Sequence, residues 1–162
     1  MTSGFRKVIC AYKFVDGQIE EQTNLLKELA KEERYSESVA ILRSIPGIGI
    51  ISAMEILLEL QDIKRFSTAD QLAAYVGLTP SQFSSGDRIR MGRITCIGKQ
   101  QLRALLIEAA WILVRKDAKM NETYTSIRSR AGSKRAIVAI ARRLLIAGRW
   151  LLINNTMYAV NR

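Results

Sequence analysis

The chain has 162 residues, 48% of them hydrophobic and 25% charged, which supports one cored domain and excludes global disorder. With no histidine, and with Cys10 and Cys96 outside any CxxC spacing, a His-based triad is excluded and a zinc site is disfavoured. The net charge of +10 is one-sided: residues 79–162 carry sixteen basic and four acidic side chains, whereas residues 1–36 are balanced and residues 37–78 slightly acidic.

A surplus confined to one half points to a polyanionic partner rather than to solubility alone. No apolar run approaches the ~18–20 residues that span a bilayer, so no membrane partner is expected, and the cysteine usage fits a reducing cytoplasm.

Residues 1–16 show no clear period and carry no assignment. Gln18 to Arg34 reads as a helix with Ile19, Gln22, Leu26, Leu29 and Glu33 along a narrow, partly polar stripe. Such a helix is either a solvated surface element or half of a coiled-coil pair. The expected division is a stub with this helix over residues 1–36, then one domain over residues 37–162.

Ser36 is expected to cap a second helix running to Ile45. Pro46, Gly47 and Gly49 then stop the chain and restart it, and Ile50 to Leu60 is a periodic apolar helix. This unit, LRSIPGIGIISAMEILLEL, resembles the helix-hairpin-helix DNA-binding motif. In that motif the Gly-hydrophobic-Gly turn, here Gly47, Ile48 and Gly49, offers backbone N–H groups to a phosphate. A tight αα-hairpin packing only its own core accounts for the same residues. No Lys or Arg lies between Arg43 and Lys64, so any phosphate contact here runs through backbone.

Asp62 to Phe66 is a connector. Ser67 is expected to cap a short helix, with Asp70 at the capping-box position, and Gly77 to end it. Thr79 to Arg103 has no clean helical stripe. Its small-residue turn, Ser84-Ser85-Gly86, precedes Arg88, Arg90 and Arg93, and Arg88 to Met91 alternates with the period of an extended ribbon. Gln100 to Lys116 is a strong apolar helix, with Lys99 and Arg103 one turn apart at its start. Met120 to Arg130 is a polar helical link. Ser133 is expected to cap a last long helix through Asn154, whose Lys134, Arg135, Arg142, Arg143 and Arg149 extend the basic surface. The expected fold is mainly α.

A serine hydroxyl attacks phosphorus only when its proton is removed and the developing charge is held. Arg88, Arg90, Arg93, Lys99 and Arg103 supply cations around Ser85, but no base or metal cluster lies in this stretch beyond Asp87. Ser-Ser-Gly-Asp is also a common turn composition.

From Leu42 to about Arg143 the chain resembles the C-terminal domain of the DEDD insertion-sequence transposases of the family numbered one hundred and ten, which are guided by a bridge RNA. The resemblance rests on IPGIG, RFSTADQLAAYVGLTP, SSG, GRIT, LRALLIEAAW and AIVAIARRLL, in the family's order and spacing. It implies that Ser85, with Ser84 as the fallback, is the nucleophile that attacks the DNA backbone. The Leu102-Arg103 pair is the family's. Cys96 and Lys99 depart from its pattern, where Lys and Asn are usual.

The family's N-terminal RuvC-like domain has no counterpart in this sequence. A C-terminal piece is therefore expected, with no cofactor of its own and with Mg²⁺ only where a RuvC-like partner supplies it. DNA and a guide RNA are the implied partners, with homo-oligomerisation through Gln18–Arg34. Two readings compete: a non-catalytic helix-hairpin-helix module that grips phosphates, and a helical interaction protein that touches no nucleic acid.

Overall fold

A computed structural model describes the backbone of residues 3–85, 88–94 and 98–161, and the side chains of 4–79 and 98–161. The described chain is mainly helical: α1 (Ser3–Leu29), α2 (Glu33–Arg43), α3 (Ile50–Leu60), α4 (Ala69–Val76), α5 (Gln100–Lys116), α6 (Ala118–Ala131) and α7 (Ser133–Asn154). One 3-10 turn, Ile63–Arg65, precedes α4, and two antiparallel strands, β1 (Pro80–Ser85) and β2 (Arg88–Ile94), lie between α4 and α5. No described helix is long and apolar enough to cross a membrane.

The core forms where the apolar faces of α5 and α7 meet. Leu102, Leu106 and Leu113 of α5 and Ile140 and Leu144 of α7 are almost fully removed from water. Each such side chain stabilises the fold by roughly 1.5–3 kcal/mol relative to exposure. A Cβ placed on Gly148 of α7 would stand 3.5 Å from Leu42 of α2 and 3.7 Å from Ile45 just beyond it, so the chain approaches α7 closely where α7 has no side chain. Trp111 of α5 meets Tyr124 of α6 edge-on, with centroids 5.6 Å apart.

Several local expectations change. The first helix occupies residues 3–29 rather than 18–34; it breaks at Ala30-Lys31-Glu32, and Arg34 belongs to α2. Ser36 therefore lies inside α2, whose N-cap is Glu32, and caps nothing. Thr68, not Ser67, caps α4 by accepting from the Gln71 N–H (3.2 Å). Gln71 turns back past the N-cap to accept from the Ser67 N–H and hydroxyl (3.1 and 2.8 Å), so Gln71 and not Asp70 makes the backward bond. Ser133 is the first residue of α7 and its hydroxyl meets the Tyr124 hydroxyl (2.9 Å), leaving Gly132 at the N-cap. Gly77 ends α4 in the left-handed conformation, as its position predicts.

The C-terminal tail is held by a buried carboxylate absent from the expectations above. Asp117 sits between α5 and α6 and is 1% exposed. It caps α6 through the Met120 N–H (2.9 Å). It also accepts from the Tyr158 hydroxyl (2.9 Å), the Asn161 N–H (3.0 Å) and the Asn161 side-chain amide (3.3 Å). Burial opposes the charged form, but the donors of Asn161, Met120 and Tyr158 outweigh it and hold this carboxyl below its usual pKa. Burial, then the facing carboxylate, pushes the Tyr158 hydroxyl upward. The signal was present in the sequence, because Asp before a fresh helical start is a capping residue.

Candidate nucleic-acid interface

The three hairpin residues separate into two roles. Gly47 has φ +97°, and a Cβ placed there would stand 2.6 Å from the Ala109 carbonyl oxygen and 3.1 Å from Ile112 Cβ. Its lack of a side chain is thus demanded by the close approach of the turn to α5. Ile48 is 5% exposed and belongs to the core. Gly49 is exposed, adopts an extended conformation (φ −87°, ψ −179°) at the N-cap of α3, and has open space where a Cβ would project. No side chain caps α3. The first-turn N–H groups that a helix leaves without intrahelical partners are therefore presented beside Gly49.

The segment carrying Ser84 and Ser85 leaves and rejoins the helical body at one narrow neck. Gly98 has φ +107°, and a Cβ there would fall 2.7 Å from the Gly77 nitrogen and 2.9 Å from its Cα, so the two backbones touch. Across the neck the Lys99 N–H donates to the Tyr75 carbonyl (3.3 Å) and the Arg103 guanidinium donates to the Gly77 carbonyl (3.3 Å). Within the segment, Ser85 pairs with Arg88 across the ladder, Ser84 with Ile89 and Phe83 with Arg90. The side chains of Ser84, Ser85, Arg88, Arg90 and Arg93 lie outside the described residues, as do Gly86, Asp87 and Cys96 altogether.

Lys99 is engaged inside the chain. Its ammonium is 2.7 Å from Glu59 of α3 and stands over the Tyr75 ring at 5.6 Å, while the Tyr75 hydroxyl donates to the same Glu59 carboxylate (3.1 Å). The hydrogen bond from Lys99 holds the Glu59 carboxyl below its usual range, and the same bond raises Lys99. Arg65 stacks on Phe66 and Tyr75 at 4.6 and 4.9 Å. Together these groups brace the neck from the α3 side. Glu59 and Lys99 also line a groove of about 710 Å³, together with Leu26, Ile51 and Glu55. With two carboxylates against one amine, that groove does not favour a phosphate.

The basic face of α7 divides in the same way. Arg142 pairs with Asp70 (2.7 Å), and Arg149 donates to the Phe66 carbonyl (2.8 Å), so both fasten α7 to the α4 region. Arg143, Lys134 and Arg135 are exposed. Lys134 and Arg135 share the corner between α6 and α7 with exposed Arg128 and Arg130. These four exposed cations lie within eight residues. In the sequence only the α7 pair stands out, because Arg128 and Arg130 lie within the polar stretch from Met120 to Arg130. Their clustering around Gly132 is the signal that finds them.

Residues 39–125, more than half of the chain, match the family described as Transposase IS116/IS110/IS902 family. The match takes in the hairpin, the neck and the serine-bearing segment. The chain is 32% identical over 146 residues to the transposase for insertion sequence element IS1111A of Coxiella burnetii, covering 87% of this chain and 40% of that protein. It is 36% identical over 91 residues to a probable family 20 transposase of Pseudomonas aeruginosa, covering 56% of this chain and 27% of the relative. It is 30% identical over 134 residues to the pilin gene-inverting protein of Moraxella bovis, covering 81% and 40%. The chain thus spans no more than two fifths of these relatives' lengths. On the extent of the family match, the chain belongs to the IS116/IS110/IS902 transposases.

Proposed function

We propose that this chain is the DNA-binding C-terminal part of a DEDD-type insertion-sequence transposase, and that Ser85 is its nucleophile for strand exchange, with Ser84 as the fallback. The observation that carries the reading is the family match across residues 39–125, which spans both the hairpin and the serine segment. The step is a transesterification. The serine oxygen forms a bond to phosphorus, one phosphorus–oxygen bond to deoxyribose breaks, and the serine proton passes to a base while the released sugar oxygen takes up a proton. Reversal with a different strand end frees the serine and joins the DNA.

Within that scheme the helical body performs the binding. The α3 N-terminus beside Gly49 and the corner of Arg128, Arg130, Lys134 and Arg135 hold phosphates without reading bases. Arg88, Arg90 and Arg93 accompany the serine, with Arg88 its direct cross-strand partner. Lys99 and Arg103 act at the neck and anchor the segment.

No group of acidic, cysteine or histidine residues able to hold a metal ion occurs among the described residues. Glu59, the acidic group at the neck, is already paired with Lys99. A RuvC-like domain on another polypeptide region is proposed to bring the carboxylates, Mg²⁺ and the base, and a guide RNA is the proposed source of target choice. The proposal also includes homo-oligomerisation, through α1 rather than through a helix over residues 18–34.

The test is to mix the chain with a full-length relative or its isolated N-terminal region and DNA carrying insertion-sequence ends, and to look for a covalent protein–DNA adduct. An adduct on this chain is expected, absent in Ser85→Ala. An adduct that survives both Ser85→Ala and Ser84→Ala removes the serine from the mechanism. DNA binding with a steep salt dependence but no adduct under any condition supports instead the non-catalytic phosphate-gripping module.

A further inference from the structure

Trp150 is the one aromatic residue of α7, and the fold makes little use of its ring. It is 58% exposed. Trp111 is packed edge-on against Tyr124, whereas Trp150 meets no other ring and no cation over its face among the described residues. A single exposed apolar side chain is ordinary on a protein surface. The surroundings of this one are not.

Between Arg135 and Trp150, Arg143 is the one exposed residue of α7. It precedes Trp150 by two helical turns, so both lie on one side of the helix, about 10 Å apart along its axis. Arg142 and Arg149 are taken by Asp70 and the Phe66 carbonyl. Arg143 has no ion pair and no side-chain hydrogen bond among the described residues. Arg143 and Trp150 line one groove of about 560 Å³, together with Ile146, Ala147 and Met157, and no acidic residue lines it.

The charge beyond the groove has one sign. From Thr123 to Arg162 the sequence holds eight basic residues and no acidic one. The exposed row Arg135, Arg143, Trp150 leads along α7 away from the corner where Arg128, Arg130 and Lys134 gather. From Arg135 to Trp150 it extends about 22 Å, room for about six nucleotides at the ~3.4 Å spacing of a stacked strand.

We infer that this row is a track for a single strand of nucleic acid, with phosphates on Arg135 and Arg143 and an unpaired base stacked on Trp150. The inference rests on the reading that the corner holds phosphates, and it deepens that reading by naming the form of the strand.

Three features select this occupant. A phosphodiester strand is a polyanion, and it matches a surface whose cations have no carboxylate among them. It also carries aromatic rings beside its charges, as the row sets an indole beside a guanidinium. Cationic grooves with aromatic platforms hold unpaired strands in this way, because every base has a face to stack. A duplex keeps those faces inside its own stack and leaves the indole nothing to lie on. A second copy of this chain would instead bring the same positive surface against itself.

The test is titration of the full chain with labelled oligomers of about 12 nucleotides: single-stranded thymidylate, single-stranded uridylate and a DNA duplex. Anisotropy of the label reads affinity, and tryptophan emission reads stacking. A single strand is expected to quench emission in the wild type and not in Trp150→Phe, whose remaining indole is Trp111. The tighter of the two single strands identifies DNA or RNA as the source. Trp150→Ala should lose about 5- to 150-fold in single-strand affinity, with most of it kept in Trp150→Phe and duplex affinity nearly unchanged. Arg143→Gln should lower the salt slope on single strands by about 0.7. An unquenched wild type, or an equal loss for single strand and duplex in Trp150→Ala, would overturn the track and leave the phosphate-holding corner standing. Absence of binding to all three oligomers would overturn both. A change of sedimentation in Trp150→Ala with unaltered nucleic-acid affinity would assign the groove to a protein contact and so refute the proposal.

Discussion

Replacing Gly47 or Gly49 by alanine separates packing from phosphate binding within a single turn. At Gly47 the added methyl would lie 2.6 Å from the Ala109 oxygen, an atom of helix backbone that cannot step aside. Holding φ near +97° costs a non-glycine residue about 1–2 kcal/mol, and forcing the methyl against α5 adds roughly 1–3 kcal/mol. The less flexible unfolded chain returns about 0.4–1 kcal/mol. Gly47→Ala is therefore expected to destabilise by about 2–4 kcal/mol, which for a chain of this size lowers Tm by roughly 5–15 °C. At Gly49 the methyl projects into open space from an ordinary extended φ. Its small N-cap penalty and its unfolded-state gain nearly cancel, leaving less than about 1 kcal/mol. Urea and thermal unfolding by circular dichroism measure both effects, and fluorescence anisotropy with a labelled duplex at several salt concentrations measures binding. Gly49→Ala should weaken DNA binding several-fold without altering Tm by more than a few degrees, because its methyl obstructs the approach of a phosphate to the α3 N–H groups. A Gly47→Ala protein that melts like the wild type would refute the packing argument, and a Gly49→Ala protein with unchanged affinity would refute the phosphate contact.

Two further changes test the buried carboxylate and the neck. Asp117→Asn keeps the shape but removes the charge that accepts from Met120, Tyr158 and Asn161, and should cost about 1.5–3 kcal/mol at neutral pH. Because folding lowers the pKa of Asp117, its stabilisation is complete above the unfolded value near 4 and fades as pH falls through the lower folded value. The gap in Tm between wild type and Asp117→Asn should thus narrow below about pH 4; a gap constant from pH 7 to pH 2 would show that the charge itself is not responsible. Glu59→Gln withdraws a negative charge from the neck and frees Lys99 from its partner. It should tighten nucleic-acid binding and steepen its salt dependence, and an affinity that stays level or falls would mean that Lys99 serves the neck alone.

The long helices α3, α5 and α7 were legible because each buries an apolar stripe whose period survives in the sequence. The caps differed where a neighbouring side chain competes for the expected hydroxyl or takes its place. Ser133 resembles a cap until Tyr124 claims its hydroxyl, and Ser67 does until Thr68 and Gln71 form the box one residue on. The N-terminal half of α1 escaped notice for a different reason. It buries nothing within its own chain, and its stripe begins at Phe5, inside the residues left unassigned. The basic residues at the start of the helix mask a heptad that becomes plain only when the whole of Ser3–Leu29 is one helix. For the site, residue types were readable but their partners were not. Lys99, Arg142 and Arg149 are visible in the sequence as cations, but their partners within the chain, Glu59, Asp70 and the Phe66 carbonyl, are not.

The two glycine contacts have a joint consequence for how the binding surface and the serine segment are related. Gly47 seats the hairpin against the middle of α5 at Ala109, and Gly98, two residues before α5 begins, seats the neck against Gly77. Both are approaches of backbone to backbone that leave no room for a methyl group, so both fix positions to within a fraction of an ångström. The α3 N-terminus is therefore referenced to the same helix as the base of the segment that carries Ser85, and Glu59 ties the two together from the α3 side through Lys99 and Tyr75. A phosphate held beside Gly49 lies in a frame fixed relative to the neck. In the proposed strand exchange, where misplacement by an ångström costs orders of magnitude in rate, that common reference fixes the base of the serine segment relative to the proposed phosphate site on α3.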